Sequence, residues 1–339
     1  MPPHNVKRVW LWLAATLLLL ANCGQTSANQ TFVVSSEISV RVVPTPAGYY
    51  GRMAWVDNWL ILTLDLSTNA TAFSARLWRF HPDGTQAEQL RLPDHTGCDQ
   101  QGVEAPSRLP DNRLGYLVRC GQSVAFNDKL YLMAYDMHTG QPASLLPYAL
   151  PSQQVGTGGY SWNPTMTRGI TSDGNGRGLY EQLYWLHPDH SETLDVGMPQ
   201  AFAATWSPDG SQIAFLGAPE QGLSGVARAD AAFDLYLMHP DETQPRALLQ
   251  SMHFVASMAW SSDSRWIVLP ASMTAAQDDQ GLWLIDITTG NYQQIVKGEF
   301  AAPVFSPDGQ HLAAIRVTGE YPNTKEEIVI IDIGALPAK

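Results

Sequence analysis

The side chains best suited to chemistry in this 339-residue chain are nine histidines, three cysteines and a scatter of acids near them. His81, His187 and His239 each open a His-Pro-Asp triplet. Imidazole is a good ligand for zinc and its neighbours, so three such residues could form a metal centre if the fold gathered them. They recur one per repeat, however, at the turn expected to join the two outer strands of a unit, so they should not converge. His95 and His253 fall in connections between units and, with Glu104 or Glu299, make a second candidate set, without recognisable ligand spacing. Asp173-Gly174-Asn175-Gly176-Arg177-Gly178 has the look of a calcium loop, but its twelfth position is Tyr184, where a bidentate Glu is needed. No Gly-x-Ser-x-Gly is present, and Gly222-Leu223-Ser224-Gly225 lacks the strand-to-helix setting of a nucleophile elbow. Phosphate-loop and dinucleotide fingerprints are missing too. No catalytic residue, metal or cofactor is expected.

The N-terminus carries a different kind of chemistry. Lys7 and Arg8 precede an apolar run from Val9 to Ala21, too short for a stable transmembrane helix and suited to a secretory signal. The run ends in Leu20-Ala21-Asn22-Cys23-Gly24, which resembles a bacterial lipobox, with Asn22 where that motif carries Gly, Ala or Ser. The resemblance implies that Cys23 is acylated and becomes the mature N-terminus. Residues 1–22 are then a lipoprotein signal peptide, and 23–30 an acylated Cys and flexible tether. With Cys23 lipidated, Cys98 and Cys120 remain as an even pair, placed on either side of the turn Leu109-Pro110-Asp111-Asn112. In an oxidising compartment a disulfide between them is expected.

The elements that must position these residues repeat. Trp206-Ser207-Pro208-Asp209-Gly210, Trp260-Ser261-Ser262-Asp263-Ser264 and Phe305-Ser306-Pro307-Asp308-Gly309 each separate two short apolar runs. Pro presets φ, Asp bonds its local backbone and Gly accepts positive φ, so each is a hairpin turn. Weaker copies lie around Trp55, Arg108 and Trp162, giving six units at a period of about 50 residues. A second hairpin follows in each, beginning with runs such as Leu77–Phe80, Leu130–Met133, Leu235–Met238 and Leu282–Ile285. Four short antiparallel strands per unit predict an all-β, six-bladed β-propeller over residues 31–339. The sixth unit supplies only three strands. The segment Thr31–Val43, with Val33, Ile38, Val40 and Val42 alternating, is expected to be its missing outer strand and to close the ring.

These Ser-Pro-Asp-Gly repeats resemble the WD-like repeats of the TolB propeller family, most clearly in the last three units. In that family the propeller is a non-catalytic, partner-binding module that follows a separate α/β domain. The residues before the first strand here are expected to hold no such domain, so the family's complete role is not carried over. The resemblance implies a fold more firmly than a function. The reading is an exported, lipid-anchored propeller, monomeric, binding a protein or envelope component. The alternative is a carbohydrate-active or other hydrolase or lyase propeller with an axial site. A formal net charge of −12 argues against nucleic acid as the partner. The candidate binding face is the mouth ringed by inter-blade residues: Tyr49, Tyr50, Arg52, His95, Glu104, Tyr160, Phe202, Phe254 and Phe300. Phe202, Phe254 and Phe300 are also read as plugs of the central channel, and the shared Trp position as packing between blades.

Overall fold

The turn residues that mark the repeats set the fold through local hydrogen bonds. In a computed structural model, residues 38–46, 48–66, 74–121, 129–151, 159–172, 182–218, 232–242, 244–253, 255, 257–276, 278–319 and 323–336 are described. The signal, Cys23, the tether, Val33, the 173–178 loop and Phe254 lie outside them, and Tyr49 is placed by its backbone alone. At Ser207 the hydroxyl donates to Asp209 at 2.7 Å and accepts from the Gln212 amide at 3.0 Å. Ser306 repeats this with Asp308 and the His311 amide, and Ser261 with Asp263 and the Trp266 amide. Each first hairpin also holds one residue in the left-handed region: Asp57, Asn112, Met166, Gly210, Ser264 and Gly309. The serine–aspartate bonding is common to the turns of the last three blades, and a left-handed residue is common to all six.

The strands assemble as six antiparallel blades in a ring, and no helix occurs among the described residues. Blade one comprises β2 (Tyr49–Val56), β3 (Trp59–Asp65), β4 (Arg76–Phe80) and β5 (Glu88–Gln89). Blade two comprises β6 (Gln100–Arg108), β7 (Leu114–Gly121), β8 (Lys129–Tyr135) and an outer edge split between β9 (Pro142–Ser144) and β10 (Leu150–Pro151). Blade three runs β11 (Tyr160–Trp162), β12 (Gly169–Ser172), β13 (Leu183–Leu186) and β14 (Ser191–Leu194). Blade four runs β15 (Gln200–Trp206), β16 (Ile213–Ala218), β17 (Phe233–Met238) and β18 (Arg246–Met252). Blade five runs β19 (Ala259–Trp260), β20 (Trp266–Ala271), β21 (Gly281–Asp286) and β22 (Tyr292–Lys297). Blade six holds β23 (Glu299–Phe305), β24 (His311–Thr318) and β25 (Lys325–Asp332), and takes its fourth strand, β1 (Ser39–Val43), from the other end of the sequence. The expected closure by the N-terminal strand is what the ladder shows.

Six apolar clusters occupy the six junctions between neighbouring blades, the fourth joining blade six to blade one through Ala313, Ile315 and Ile328 against Met53, Leu60 and Leu62. Five of the six second strands feed two of them, and β12 feeds one through Ile170. In β16, Ile213 and Phe215 face blade three, while Ala214 and Leu216 face blade five. Burial on both faces is why these strands read as unbroken apolar runs instead of alternating ones. At the margin of the blade one–two cluster, Cys98 and the buried Cys120 are joined by a disulfide whose Cα atoms are 5.2 Å apart.

Candidate axial binding site

The innermost strands would crowd the axis if they ran straight. Four of them carry a register shift at the same place: between Tyr50 and Met53, Glu104 and Ser107, Phe202 and Thr205, and Ala301 and Val304. Ala105, Ala203 and Ala302 sit in the shift with positive φ (51°, 54° and 46°), and Gly159 takes the equivalent place in blade three at 69°. A bulge of this kind bends the strand and re-aims its side chains. Two bulged amides bond to the preceding blade, Ala105 to Thr63 Oγ1 at 3.2 Å and Ala203 to Ser172 Oγ at 3.3 Å. The small residues thus mark a built ring of bulges around an axial cavity of about 1340 Å³.

The cavity follows the inner strands from Tyr50 and Glu104 to the first-hairpin turns at Pro110, Pro164 and Pro208. Its walls differ in character. Blades one, two and six contribute Arg52, Arg108, Glu104, Arg119 and Glu326. Blades three to five contribute no charge, only small and hydroxyl residues with Tyr160, Met258, Trp162, Trp206 and Trp260, while Trp55 and Phe305 add aromatic surface on the charged side. Arg119 donates to Glu104 Oε1 from Nε at 3.0 Å and from Nη2 at 2.7 Å, so that pair is neutralised. Glu326 accepts from the Tyr50 amide at 3.0 Å. Arg52 lies deep in the ring against Gly159, and burial lowers its pKa to about 10, opposed by the nearby Tyr160. The same burial raises Tyr160 well above the ordinary tyrosine value, with Arg52 pulling the other way. Burial also lowers Arg108, which Asp57 partly offsets. The described wall carries three arginines against two glutamates, a basic lining inside an acidic chain.

Of the nine residues expected at the mouth, Tyr50, Arg52, Glu104 and Tyr160 come together in this cavity. The Tyr50 hydroxyl is turned to the N-terminal segment, donating to Pro46 O at 2.7 Å. His95 stacks on Tyr131 at 3.9 Å between ring centroids, beside the disulfide. Phe202 packs edge-on to Phe233 in the junction of blades four and five, and Phe300 packs in that of blades five and six. Neither phenylalanine lines the axial cavity, whose wall at these strands is made by Ala203 and Ala302. His253 is buried in a bridge to Ser272 and does not line the cavity. His81, His187 and His239 sit at outer turns of separate blades, as their spacing implies. Sequence reasoning missed Arg119 and Glu326, which reach the axis from second and third strands.

Comparison with known proteins adds the fold's company. No protein-family model and no curated protein matches the chain. Among solved structures, TolB from Acinetobacter baumannii superposes with a TM-score of 0.53 at 16% identity, covering 77% of this chain and 60% of that one. A TolB from Agrobacterium tumefaciens gives 0.50 at 16%, over 74% and 82% of the two chains. A gluconolactonase from Xanthomonas campestris gives 0.50 at 11%, over 88% and 90%. The chain thus spans about 60% of the length of the Acinetobacter protein. These likenesses concern the propeller fold, which binding proteins and enzymes share.

Proposed function

We propose that the chain is an exported β-propeller, anchored by lipid on Cys23, that acts as a non-catalytic binding module at the cell envelope. The observation that carries this reading is the two-sided axial cavity. A basic wall centred on Arg52 faces an uncharged wall that includes Trp162, Trp206 and Trp260, across a space large enough for several side chains. Such a pairing suits a protein segment that offers a carboxylate beside an apolar or aromatic residue. Arginine and tryptophan anchors in a recessed, partly desolvated site are where binding energy concentrates. The surrounding charge sharpens the preference: in a chain of net charge −12, an acidic segment is attracted only where the basic wall outweighs the rest.

The test is crosslinking in cells of the full-length chain, followed by mass spectrometry, beside an Arg52→Glu variant and an outer-turn control, His239→Ala. One protein enriched by the natural chain and the control, and lost with Arg52→Glu, supports the reading. Equal recovery from all three moves binding away from the axis. The anchor is tested separately with Cys23→Ser, which should release the chain from membranes into the soluble fraction.

A further inference from the structure

The turn between β13 and β14 is unlike its counterparts. The three His-Pro-Asp turns continue as His81-Pro82-Asp83-Gly84, His239-Pro240-Asp241-Glu242 and His187-Pro188-Asp189-His190. Only the last returns a second imidazole to the same hairpin, and Glu192 follows two residues later in β14, paired with Trp185. The His187 amide donates to His190 O at 2.9 Å, so the two histidines are the paired ends of a tight turn. Their rings stack at 4.6 Å, and Glu192 Oε1 lies 2.9 Å from His187 Nε2. One ligand atom from each of His187, His190 and Glu192 lies within 4.8 Å of the others.

We propose that His187, His190 and Glu192 form a site for a divalent transition ion of the zinc class, remote from the axial cavity. Two imidazoles and one carboxylate are a donor set that zinc accepts, and they leave its fourth position open. The nitrogen donors favour zinc, nickel or copper over magnesium or calcium. Bonds of about 2.0–2.2 Å need donor atoms about 3.3 Å apart in a tetrahedral site, so binding requires the two stacked rings to turn out of their parallel arrangement until both lone pairs meet at one ion. The backbone is held for the purpose. Pro188 fixes the turn, and the single O–H of Tyr148 from blade two is shared between His187 O at 3.0 Å and His190 O at 2.5 Å, tying the turn to blade two. Asp189 Oδ1 lies 2.7 Å from His190 Nδ1, the place of the outer carboxylate that orients a metal-bound imidazole. The side chains of His190 and Glu192 are 54% and 52% exposed, so an ion can reach them from solvent.

The test is titration of the full chain, purified in detergent without a histidine tag, with Zn²⁺ in competition with a chromogenic indicator. One zinc per chain is expected, with affinity falling at least about tenfold in His190→Ala and again in Glu192→Gln. His81→Ala and His239→Ala, at the equivalent turns, should leave it unchanged. Circular dichroism of each variant establishes that the exposed substitution leaves the sheet intact. Zinc binding that His190→Ala and Glu192→Gln do not weaken, or no zinc binding by the natural chain, overturns the proposal.

Discussion

Val43 faces Ile328 across the β1–β25 ladder, and both are buried in the cluster that joins blade six to blade one. This contact binds the two ends of the sequence into a single blade. Its neighbour Val42 points the other way and is 43% exposed. Because strand side chains alternate, a slip of one residue would exchange the two. Val43→Asp should therefore cost about 3 kcal/mol or more through an unpaired buried carboxylate, while Val42→Asp should stay within about 0.5 kcal/mol. Urea midpoints of the two variants measure the difference, and equal losses would mean another register.

Arg119 and Glu104 offer a test inside the cavity wall. The pair is neither fully buried nor free in water, with side-chain exposures of 19% and 26%. Arg119→Met removes the charge and leaves Glu104 facing the cavity alone, with an expected loss of about 1–2 kcal/mol. Adding Glu104→Gln should restore part of that loss, because the stranded charge goes with it. A double-mutant cycle in urea reads the coupling, and strictly additive losses would argue against the pair.

The disulfide closes a loop between positions separated by 22 residues. In the chain-entropy model such a link contributes about 3 kcal/mol by restricting the unfolded state. Cys98→Ser with Cys120→Ser should lower the urea midpoint accordingly. A reducing agent should lower that of the natural chain by the same amount and leave the double variant unmoved.

How legible this was depended on which physical signal each feature leaves. Turns such as Ser207–Gly210 are visible because only certain residues make those hydrogen bonds and dihedrals, and they gave the period and the blade count. Double-sided burial of β16 and β20 left continuous apolar runs, which fixed the second strands. The bulges left almost nothing: Ala203-Ala204 and Ala301-Ala302 read as small residues near an axis, without any sign of reversed φ. A bulge changes which side chain points inward, so strand order puts Phe202 and Phe300 at the channel although they pack between blades. Arg119 and Glu326 leave no signal at the axis for a related reason. Long charged side chains reach the axis from strands that are not innermost, and strand order alone does not reveal it.

Acid should unfold the protein partly through Asp286. Burial raises its pKa, but the hydrogen bonds from Arg265 and the Thr288 amide outweigh burial and hold the carboxyl below its ordinary value. A carboxylate with a lowered folded pKa adds stability above its unfolded value and loses it as pH falls through the folded one. Stability should then be level from neutral pH down to about pH 5 and fall below about pH 4. Asp286→Asn should cost about 1–2 kcal/mol at pH 7 and flatten the acid limb, because the titrating group is gone. Asp209 and Asp308 are also held low, Asp209 by the Ser211 amide and Ser207 against the pull of burial, Asp308 by Ser306 and the Gln310 amide. Some acid sensitivity should therefore persist in Asp286→Asn.

Gly159 is where the backbone and the basic wall meet. It has a φ of +69°, and a Cβ added there would lie 2.6 Å from Arg52 Nη1 and 2.8 Å from Cζ. Gly159→Ala therefore does two things. It places a side chain in a left-handed conformation, at about 1–2 kcal/mol, and it pushes the guanidinium off its seat. The stability loss should appear whatever the cavity does. The displacement matters only if Arg52 holds the partner, in which case crosslinking yield should fall well beyond what the urea midpoint explains. Arg52→Lys separates the two effects: its slimmer head avoids the added methyl, so the strain remains but the collision does not. If the Gly159→Ala, Arg52→Lys protein recovers partner and Gly159→Ala alone does not, the seat of the charge governs binding. If both crosslink like the natural chain, Arg52 is a structural cation and the partner is held elsewhere.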